Sequence, residues 1–321
     1  MTMPTIPAAL LRAIEEEIAT VPLRNLQSRV AEMMSAYRSG DPAAAPLLDE
    51  TGAKAYAAYR MPGTVAALLR VFAALTETTG AAPTSLVDVG GGTGAGMWAA
   101  RAVWPSLEQV TVVDRSEAAT EVGKRLAREL DVPVAWQVQA ATDELPSADV
   151  AVAAYVFAEL EREEAGLVVD AMIEAAPVVV VVEPGTPIGH QRILEVRDRM
   201  LDAGLRLAAP CPHHRPCPLA GRDWCHFAAR FNRPSWLRRL KGAELGHEDE
   251  KFSYVVGTRL DVHDTAPRII RHPSKREKMI TLELCQTDGT AATVTITRRD
   301  KAAYRHARDV RWGDRWLVKT S

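Results

Sequence analysis

The sequence has few cysteines and no long hydrophobic run. Four of its 321 residues are cysteine. No stretch reaches the roughly 18 apolar residues that a membrane helix needs, and the N-terminus lacks the basic start and apolar stretch of a secretion signal. These absences predict a cytoplasmic globular protein without a membrane partner, in which disulfides are disfavoured. The oligomeric state stays open.

Positive charge is scarce in the first part of the chain and abundant in the last. Residues 1–190 hold 13 Lys+Arg against 25 Asp+Glu, whereas residues 191–321 hold 26 against 16. The overall net charge of −2 hides this division. An opposed imbalance of this size indicates an anionic partner for the C-terminal part, and it favours nucleic acid over an ordinary solvated surface.

Hydrophobic periodicity divides the chain into three predicted parts. Apolar residues at helical spacing come first, and from Ser85 short β-branched runs alternate with helical segments, which indicates a parallel sheet. A Cys/His/Pro/Arg segment and a predicted hairpin follow. The predicted parts are a helical cap (1–80), an α/β domain (81–207) and a small β-rich, cysteine-containing C-terminal extension (208–321). The predicted strands are 85–89, 109–114, 133–138, 148–155 and 178–183.

A glycine-rich loop follows the first predicted strand. Asp88 lies at the strand end, and Gly90, Gly92 and Gly94 follow at alternate positions. Glycines let the backbone approach a ligand where a Cβ would clash. This Asp-x-Gly-x-Gly-x-Gly arrangement resembles methyltransferases rather than the Gly-x-Gly-x-x-Gly of NAD enzymes. The resemblance implies an α/β, Rossmann-like class I methyltransferase fold with S-adenosylmethionine as cofactor.

Three acids and a tyrosine are candidate cofactor contacts. Asp88 would face the amino group of the methionine part, and Asp114, at the end of the second strand, would hold the ribose hydroxyls. Asp143 would contact the adenine amino group, and Tyr155 lies at the mouth of the sheet. For each acid an ordinary turn, strand-end or loop carboxylate is the alternative. No Asn/Asp-Pro-Pro-Tyr/Phe motif stands near Tyr155, so the catalytic residues are unknown.

The four cysteines have the spacing Cys211-x5-Cys217-x7-Cys225-x59-Cys285. The pattern lacks the paired C-x2-C knuckles of a zinc ribbon. Four thiolates can hold zinc or an iron–sulfur cluster, and irregular spacing in a proline-rich loop suits a [4Fe–4S] cluster better. Four unrelated buried thiols are the remaining alternative.

The strings Cys211-Pro-His-His-Arg-Pro-Cys-Pro and Asp223-Trp-Cys-His-Phe resemble a family of methyltransferase-like assembly factors of the small ribosomal subunit, known from mitochondria and bacteria. Further matching strings are Val182-Glu-Pro-Gly-Thr-Pro-Ile-Gly, Pro267-Arg-Ile-Ile-Arg-His-Pro and Trp312-Gly-Asp-Arg-Trp. The resemblance spans residues 50–320. It implies a protein that binds small-subunit rRNA during assembly, with a [4Fe–4S] cluster held by Cys211, Cys217, Cys225 and Cys285.

Two basic runs are candidates for phosphate contacts. One follows the cysteine segment and the other surrounds the Pro-Arg-Ile-Ile-Arg-His-Pro string. The candidate residues are Arg230, Arg233, Arg268, Arg271, Lys275 and Arg276. Two other functions stay open: an active S-adenosylmethionine-dependent methyltransferase acting on rRNA or a small molecule, and a zinc-stapled protein with a vestigial cofactor pocket.

Overall fold

The N-terminal part of the chain is helical, as predicted. A computed structural model describes residues 5–39, 49–263 and 265–318. The side chain of Asp49 starts the third helix by accepting the Gly52 N–H at 2.7 Å, and Gly80 ends the fourth in a left-handed conformation. The four helices are α1 (Ala8–Ala19), α2 (Leu23–Ser39), α3 (Glu50–Tyr59) and α4 (Met61–Thr79).

The central element is an eight-stranded sheet. Its first five strands are β1 (Ser85–Val89), β2 (Gln109–Asp114), β3 (Val134–Val138), β4 (Val150–Ala154) and β5 (Val178–Pro184), which confirms the five predicted strands. They are parallel in the order β3-β2-β1-β4-β5. Strand order reverses beside β1, so the crevice between the carboxyl ends of β1 and β4 is the expected ligand site.

The sheet continues beyond the predicted domain boundary at residue 207. Its other strands are β6 (Arg206–Ala209), β7 (Phe227–Asn232) and β8 (His247–Thr258). β8 is antiparallel to β5, and β6 and β7 pair with its two halves on the opposite side. The order 3-2-1-4-5-8-6, with an antiparallel strand beside β5, is the Rossmann-like class I methyltransferase fold. Residues 227–258, which the predicted boundaries assign to the C-terminal extension, therefore contribute two strands to the sheet of the α/β domain.

Helices cover both faces of this sheet. The remaining helices beside it are α5 (Ala95–Val103), α6 (Glu117–Leu126), α7 (Arg162–Ala175), α8 (Pro187–Asp202) and α9 (Ser235–Lys241). Side chains alternate along the strands: Val178 and Val180 join the core shared with α1 to α5, whereas Val179 and Val181 join the core under α7 and α8. The helical cap therefore lies on one face of the sheet.

A second, four-stranded sheet completes the chain. It contains β9 (Arg268–Ile269), β10 (Ser274–Arg276), β11 (Met279–Cys285) and β12 (Ala291–Thr297), followed by α10 (Lys301–Asp309). The antiparallel β11–β12 pair confirms the predicted hairpin. These elements share a small core that includes Ile280, Leu282 and Ala307. None of the helices in the described ranges is long and apolar enough to cross a membrane.

Candidate functional site

The glycine loop after β1 has the backbone that only glycine adopts easily. Gly90, Gly92 and Gly94 all have positive φ, of 63°, 54° and 86°. A Cβ at Gly90 would lie 2.6 Å from Val156, whereas at Gly92 its nearest neighbours would be Asp114 Oδ2 at 3.8 Å and Tyr56 at 4.0 Å. The loop is therefore closed on the β4 side and open where Asp114 ends β2.

Asp88 and Asp114 lie on either side of this loop. Asp88 is 2% exposed and accepts the Gly96 N–H at 2.9 Å, and burial raises its pKa to about 7. Asp114 accepts the N–H groups of Gly92 and Ser116 at 2.8 and 2.7 Å, and burial raises its pKa too. Asp88 therefore supports the first turn of α5, and Asp114 fixes the loop while keeping lone pairs for a further donor.

Asp143 is exposed in the loop after β3, where it accepts the Ala140 N–H at 3.1 Å. Its contact with adenine stays a prediction.

Sequence reasoning missed Glu159, which follows β4. Burial raises the pKa of Glu159 to about 7, and Arg115 and Asp114 act on it electrostatically. Its position beside the open end of the loop makes it a further candidate for cofactor contact.

Tyr155, directly after β4, has a strained backbone. Its φ is 64°, and among the described residues it is the one non-glycine with positive φ. Its hydroxyl donates to Glu250 at 2.8 Å, and Arg60 contacts the same carboxylate oxygen at 3.2 Å. The Arg60 guanidinium also lies 5.1 Å from the centre of the tyrosine ring. The helical cap, β4 and β8 thus meet at the mouth of the sheet. Arg60 and Glu250, which make this contact with Tyr155, belong to no sequence motif and were not predicted.

Replacing Tyr155 by phenylalanine is expected to lower the free energy of unfolding by about 1 to 2 kcal/mol, because a hydrogen bond to a carboxylate is lost. Urea denaturation measures the change. Tyr304→Phe is the matched control, since the Tyr304 hydroxyl donates to the Glu277 carbonyl at 3.3 Å on the surface, and its effect should stay within about 0.5 kcal/mol. Equal effects in both variants would contradict a stabilising role for this contact.

The four cysteines line one cavity, although up to 74 positions separate them in the sequence. Cys211 follows β6, Cys225 precedes β7 and Cys285 ends β11. Burial and the neighbouring thiols raise the pKa of Cys285 to about 12. Burial also raises the pKa of Cys225, and the other three thiols, Cys217 included, add to it. All are free thiols.

Two buried arginines face the same cavity. Arg197 is 2% and Arg268 is 4% exposed. Arg268 donates to the carbonyls of Pro210 and Gly313 at 3.1 and 2.9 Å, and both guanidinium groups lower the pKa of Cys211. The part of the chain that the structure describes has no group of three or more His, Cys, Asp or Glu side chains arranged to hold a single metal ion.

The burial of Arg268 corrects one predicted RNA contact, because its guanidinium binds backbone carbonyls and is closed to a phosphate. Three other candidates are paired with acids. Arg230 contacts Asp249 through both carboxylate oxygens, each at 2.7 Å. Arg233 contacts Glu248 at 3.0 Å, and Arg271 contacts Asp223. Pairing lowers the charge that these arginines offer to an anion.

Lys275 and Arg276 are exposed on β10 and belong to a wider set of exposed cations on the second sheet and α10. Contacts join the members: Lys275 Nζ donates to the Arg308 carbonyl at 2.6 Å, and the Arg298 N–H donates to the Lys278 carbonyl at 3.4 Å. Glu277, Asp300 and Asp309 are interspersed. This C-terminal basic surface comprises Lys275, Arg276, Lys278, Arg298, Arg299, Lys301, Arg305 and Arg308.

Sequence signals for the missed residues differ. Arg197 stands in the apolar stripe of α8 with Ile193, Val196 and Met200, and a charge at such a position indicates a buried partner. The basic residues of α10 were not predicted as phosphate contacts, because the sequence pattern at the end of the chain indicates strands rather than a helix.

Comparison with known proteins gives a family and relatives. The family model described as mitochondrial small ribosomal subunit Rsm22 matches residues 50–317. The human mitochondrial ribosome assembly protein METTL17 is 30% identical over 300 residues, covering 83% of this chain and 62% of that protein. The Saccharomyces cerevisiae mitochondrial ribosome assembly protein RSM22 is 27% identical over 179 residues. The match covers 35% of this chain and 28% of that protein. The chain thus spans about three fifths of the human relative.

Among solved structures, the magnesium protoporphyrin IX methyltransferase of Synechocystis with bound S-adenosylmethionine is 14% identical, with a TM-score of 0.40. The match covers 61% of this chain and 80% of that one. The fold assignment rests on the strand order described above.

Proposed function

Because the chain belongs to the family of the mitochondrial small ribosomal subunit protein Rsm22, we propose that it is an assembly factor of the small ribosomal subunit that binds rRNA. The observation that carries the proposal is the C-terminal basic surface, whose side chains are exposed and lie on adjoining elements. Such a surface binds nucleic acid mainly through phosphates. We retain the prediction of a cytoplasmic location.

Replacing Lys275, Arg276 and Lys278 together by glutamine is expected to weaken RNA binding. Each lost phosphate contact lowers the slope of log affinity against log salt by roughly 0.7 for single-stranded RNA, so the slope should fall by about 2. Fluorescence anisotropy with a small-subunit rRNA fragment at several salt concentrations measures it.

The matched control removes equal charge elsewhere: Arg12, Arg24 and Arg128, all exposed and all outside the second sheet, are replaced by glutamine. Its slope should equal that of the wild type. RNA affinity that does not depend on salt, or equal slopes in the two triple variants, would contradict the proposal.

We also propose that the crevice at the glycine loop binds S-adenosylmethionine. The three left-handed glycines and the open space between Gly92, Asp114 and Tyr56 support this. Asp114 would accept ribose hydroxyls, and Glu159 and Tyr155 would flank the cofactor. When bound, S-adenosylmethionine carries an activated methyl group.

We further propose that the cysteine cavity binds a [4Fe–4S] cluster through Cys211, Cys217, Cys225 and Cys285. A thiolate-bound cluster is anionic, and Arg197 and Arg268 supply buried positive charge beside it. Zinc, which four thiolates also bind, is the alternative occupant of this cavity. A bound cluster would tie β11 to the loop between β6 and β7.

Methyl transfer is a second candidate function, favoured by the strained Tyr155 at the mouth of the sheet. Incubation with S-adenosylmethionine labelled in its methyl group tests it. Label that enters an rRNA fragment, and that is lost in Tyr155→Phe while cofactor binding persists, would support an enzyme. No incorporation would favour an assembly factor without turnover.

A further inference from the structure

A groove lies where the helical cap meets β7 and the segment after α10. Its volume is about 360 Å³, within the roughly 300–1,000 Å³ typical of small-ligand sites. Leu11, Leu69 and Phe231 form an apolar floor, and Asn232 is exposed at its side. This groove lies apart from both the glycine loop and the cysteine cavity, which have other lining residues.

The charge at the rim of the groove is positive. Arg70, Arg230 and Arg311 line it, and the described lining residues include no acid. Arg70 donates to the Trp312 carbonyl at 3.3 Å and so holds the segment of Arg311 against α4. Arg311 is exposed, and it follows Arg308 of the C-terminal basic surface by three positions. The groove therefore connects that surface with Arg230 on β7.

An apolar floor, an amide and the guanidinium of the exposed Arg311 match one nucleotide of a single strand. A base that leaves its stack packs against apolar and aromatic side chains, while its phosphates contact arginines. Asn232 can donate to and accept from the edge of a base. A hydrophobic peptide would fit the floor but would offer no anion to the exposed Arg311.

We propose that this groove binds an unstacked nucleotide of the RNA strand that lies on the C-terminal basic surface. The inference rests on the proposed RNA-binding function and adds a second contact region to it. The strand passes from Arg308 to Arg311, and the nucleotide enters between Phe231 and the arginines.

Asp249 provides a test in which binding is gained. It pairs with Arg230 through both carboxylate oxygens beside the groove, so Asp249→Asn frees Arg230 and removes a negative charge. We expect binding of a short single-stranded RNA to tighten roughly fivefold. A variant that fails to fold cannot produce this gain. Asp131→Asn is the matched control, because Asp131 pairs with Arg101 in the same two-oxygen geometry elsewhere, and it should leave affinity unchanged.

Arg311→Gln is the complementary variant. It should weaken binding about fourfold at physiological salt and lower the salt slope by about 0.7, the effect of one phosphate contact. Arg128→Gln, an exposed arginine outside the groove, is its control. RNA that carries 5-iodouridine should crosslink to Phe231, as peptide mapping would show.

The results separate this proposal from the proposed function. Wild-type protein that binds no RNA overturns both. If the protein binds RNA but the groove variants behave like their controls, and crosslinks appear only on β10 and α10, the groove proposal alone is overturned. A protein segment would then be the expected occupant of the groove. Displacement of the RNA by equimolar uridine monophosphate also overturns the groove proposal, because it would indicate a site for a free nucleotide rather than for an RNA strand.

Discussion

Cys225→Ser is expected to yield protein without iron, whereas the wild type, purified anaerobically, is expected to carry iron and sulfide in equal amounts and to absorb near 400 nm. Cys225 borders the cavity together with the other three cysteines, so a cluster would lose one of its four ligands. The free energy of unfolding should fall by more than about 4 kcal/mol, the range in which loss of a metal site lies. Metal analysis and thermal denaturation measure the two effects.

Leu219→Ala separates loss of the cluster from loss of packing. Leu219 lines the same cavity and is 8% exposed, so its truncation should destabilise the protein by about 2 to 5 kcal/mol. Iron should nevertheless be retained. Stoichiometric zinc without iron in anaerobically purified wild-type protein would instead support the zinc-stapled alternative, and iron retained in Cys225→Ser would remove this cysteine from the ligand set.

The buried arginines give the cavity a preference for negative charge. Arg197 is held by Asp198 at 2.8 Å and by the Arg215 carbonyl, but its Nε is buried with no hydrogen-bond partner among the described residues. A buried N–H without an acceptor costs free energy. The same arginine lowers the pKa of Cys211, against the burial that raises it. Thiolates that bind a cluster would place negative charge beside the Arg197 guanidinium, and the guanidinium would in turn stabilise the Cys211 thiolate. Neutral thiols carry no such charge.

The parallel part of the sheet could be predicted because its signals are local. Runs such as Val178–Val182 are β-branched and apolar throughout, as buried parallel strands require, and Gly90, Gly92 and Gly94 mark the turn that follows β1. β8 also has an apolar run, but its partner β5 lies more than 60 positions earlier. Nothing local in the sequence specifies that pairing, which carries the sheet beyond the predicted boundary at residue 207.

The proposed RNA contacts were harder to predict, because composition counts the charged residues but does not show which of them are paired. Arg268 and Arg276 look alike in a basic run, yet the first is buried against backbone carbonyls and the second is exposed on β10. The same holds for the mouth of the sheet. Arg60, Tyr155 and Glu250 come from three distant segments, and their meeting depends on the packing of the helical cap against β8.

Gly92→Arg is expected to reduce S-adenosylmethionine binding below detection in isothermal titration calorimetry. The backbone at Gly92 has a φ of 54°, and a Cβ there would meet no atom closer than 3.8 Å. The fold therefore has space for a side chain, but that space is the crevice between Asp114 and Tyr56. An arginine would fill it and would pair with the Asp114 carboxylate that the ribose needs.

Gly80→Arg is the matched control for the backbone strain. Gly80 also has positive φ, of 70°, and a Cβ there has no neighbour within 4 Å. Both variants should lose about 1 kcal/mol of stability from the left-handed backbone, but Gly80→Arg should keep wild-type affinity.

Asp114→Asn, which retains the shape of the side chain but not its charge, should weaken S-adenosylmethionine binding by about 1 to 3 kcal/mol. Burial raises the pKa of Asp114, so wild-type affinity should fall as pH is lowered through that pKa. The fall should be smaller in the Asn variant, in which Asp88 and Glu159 still titrate. Unchanged affinity in Gly92→Arg and Asp114→Asn would place the cofactor elsewhere or nowhere on this chain.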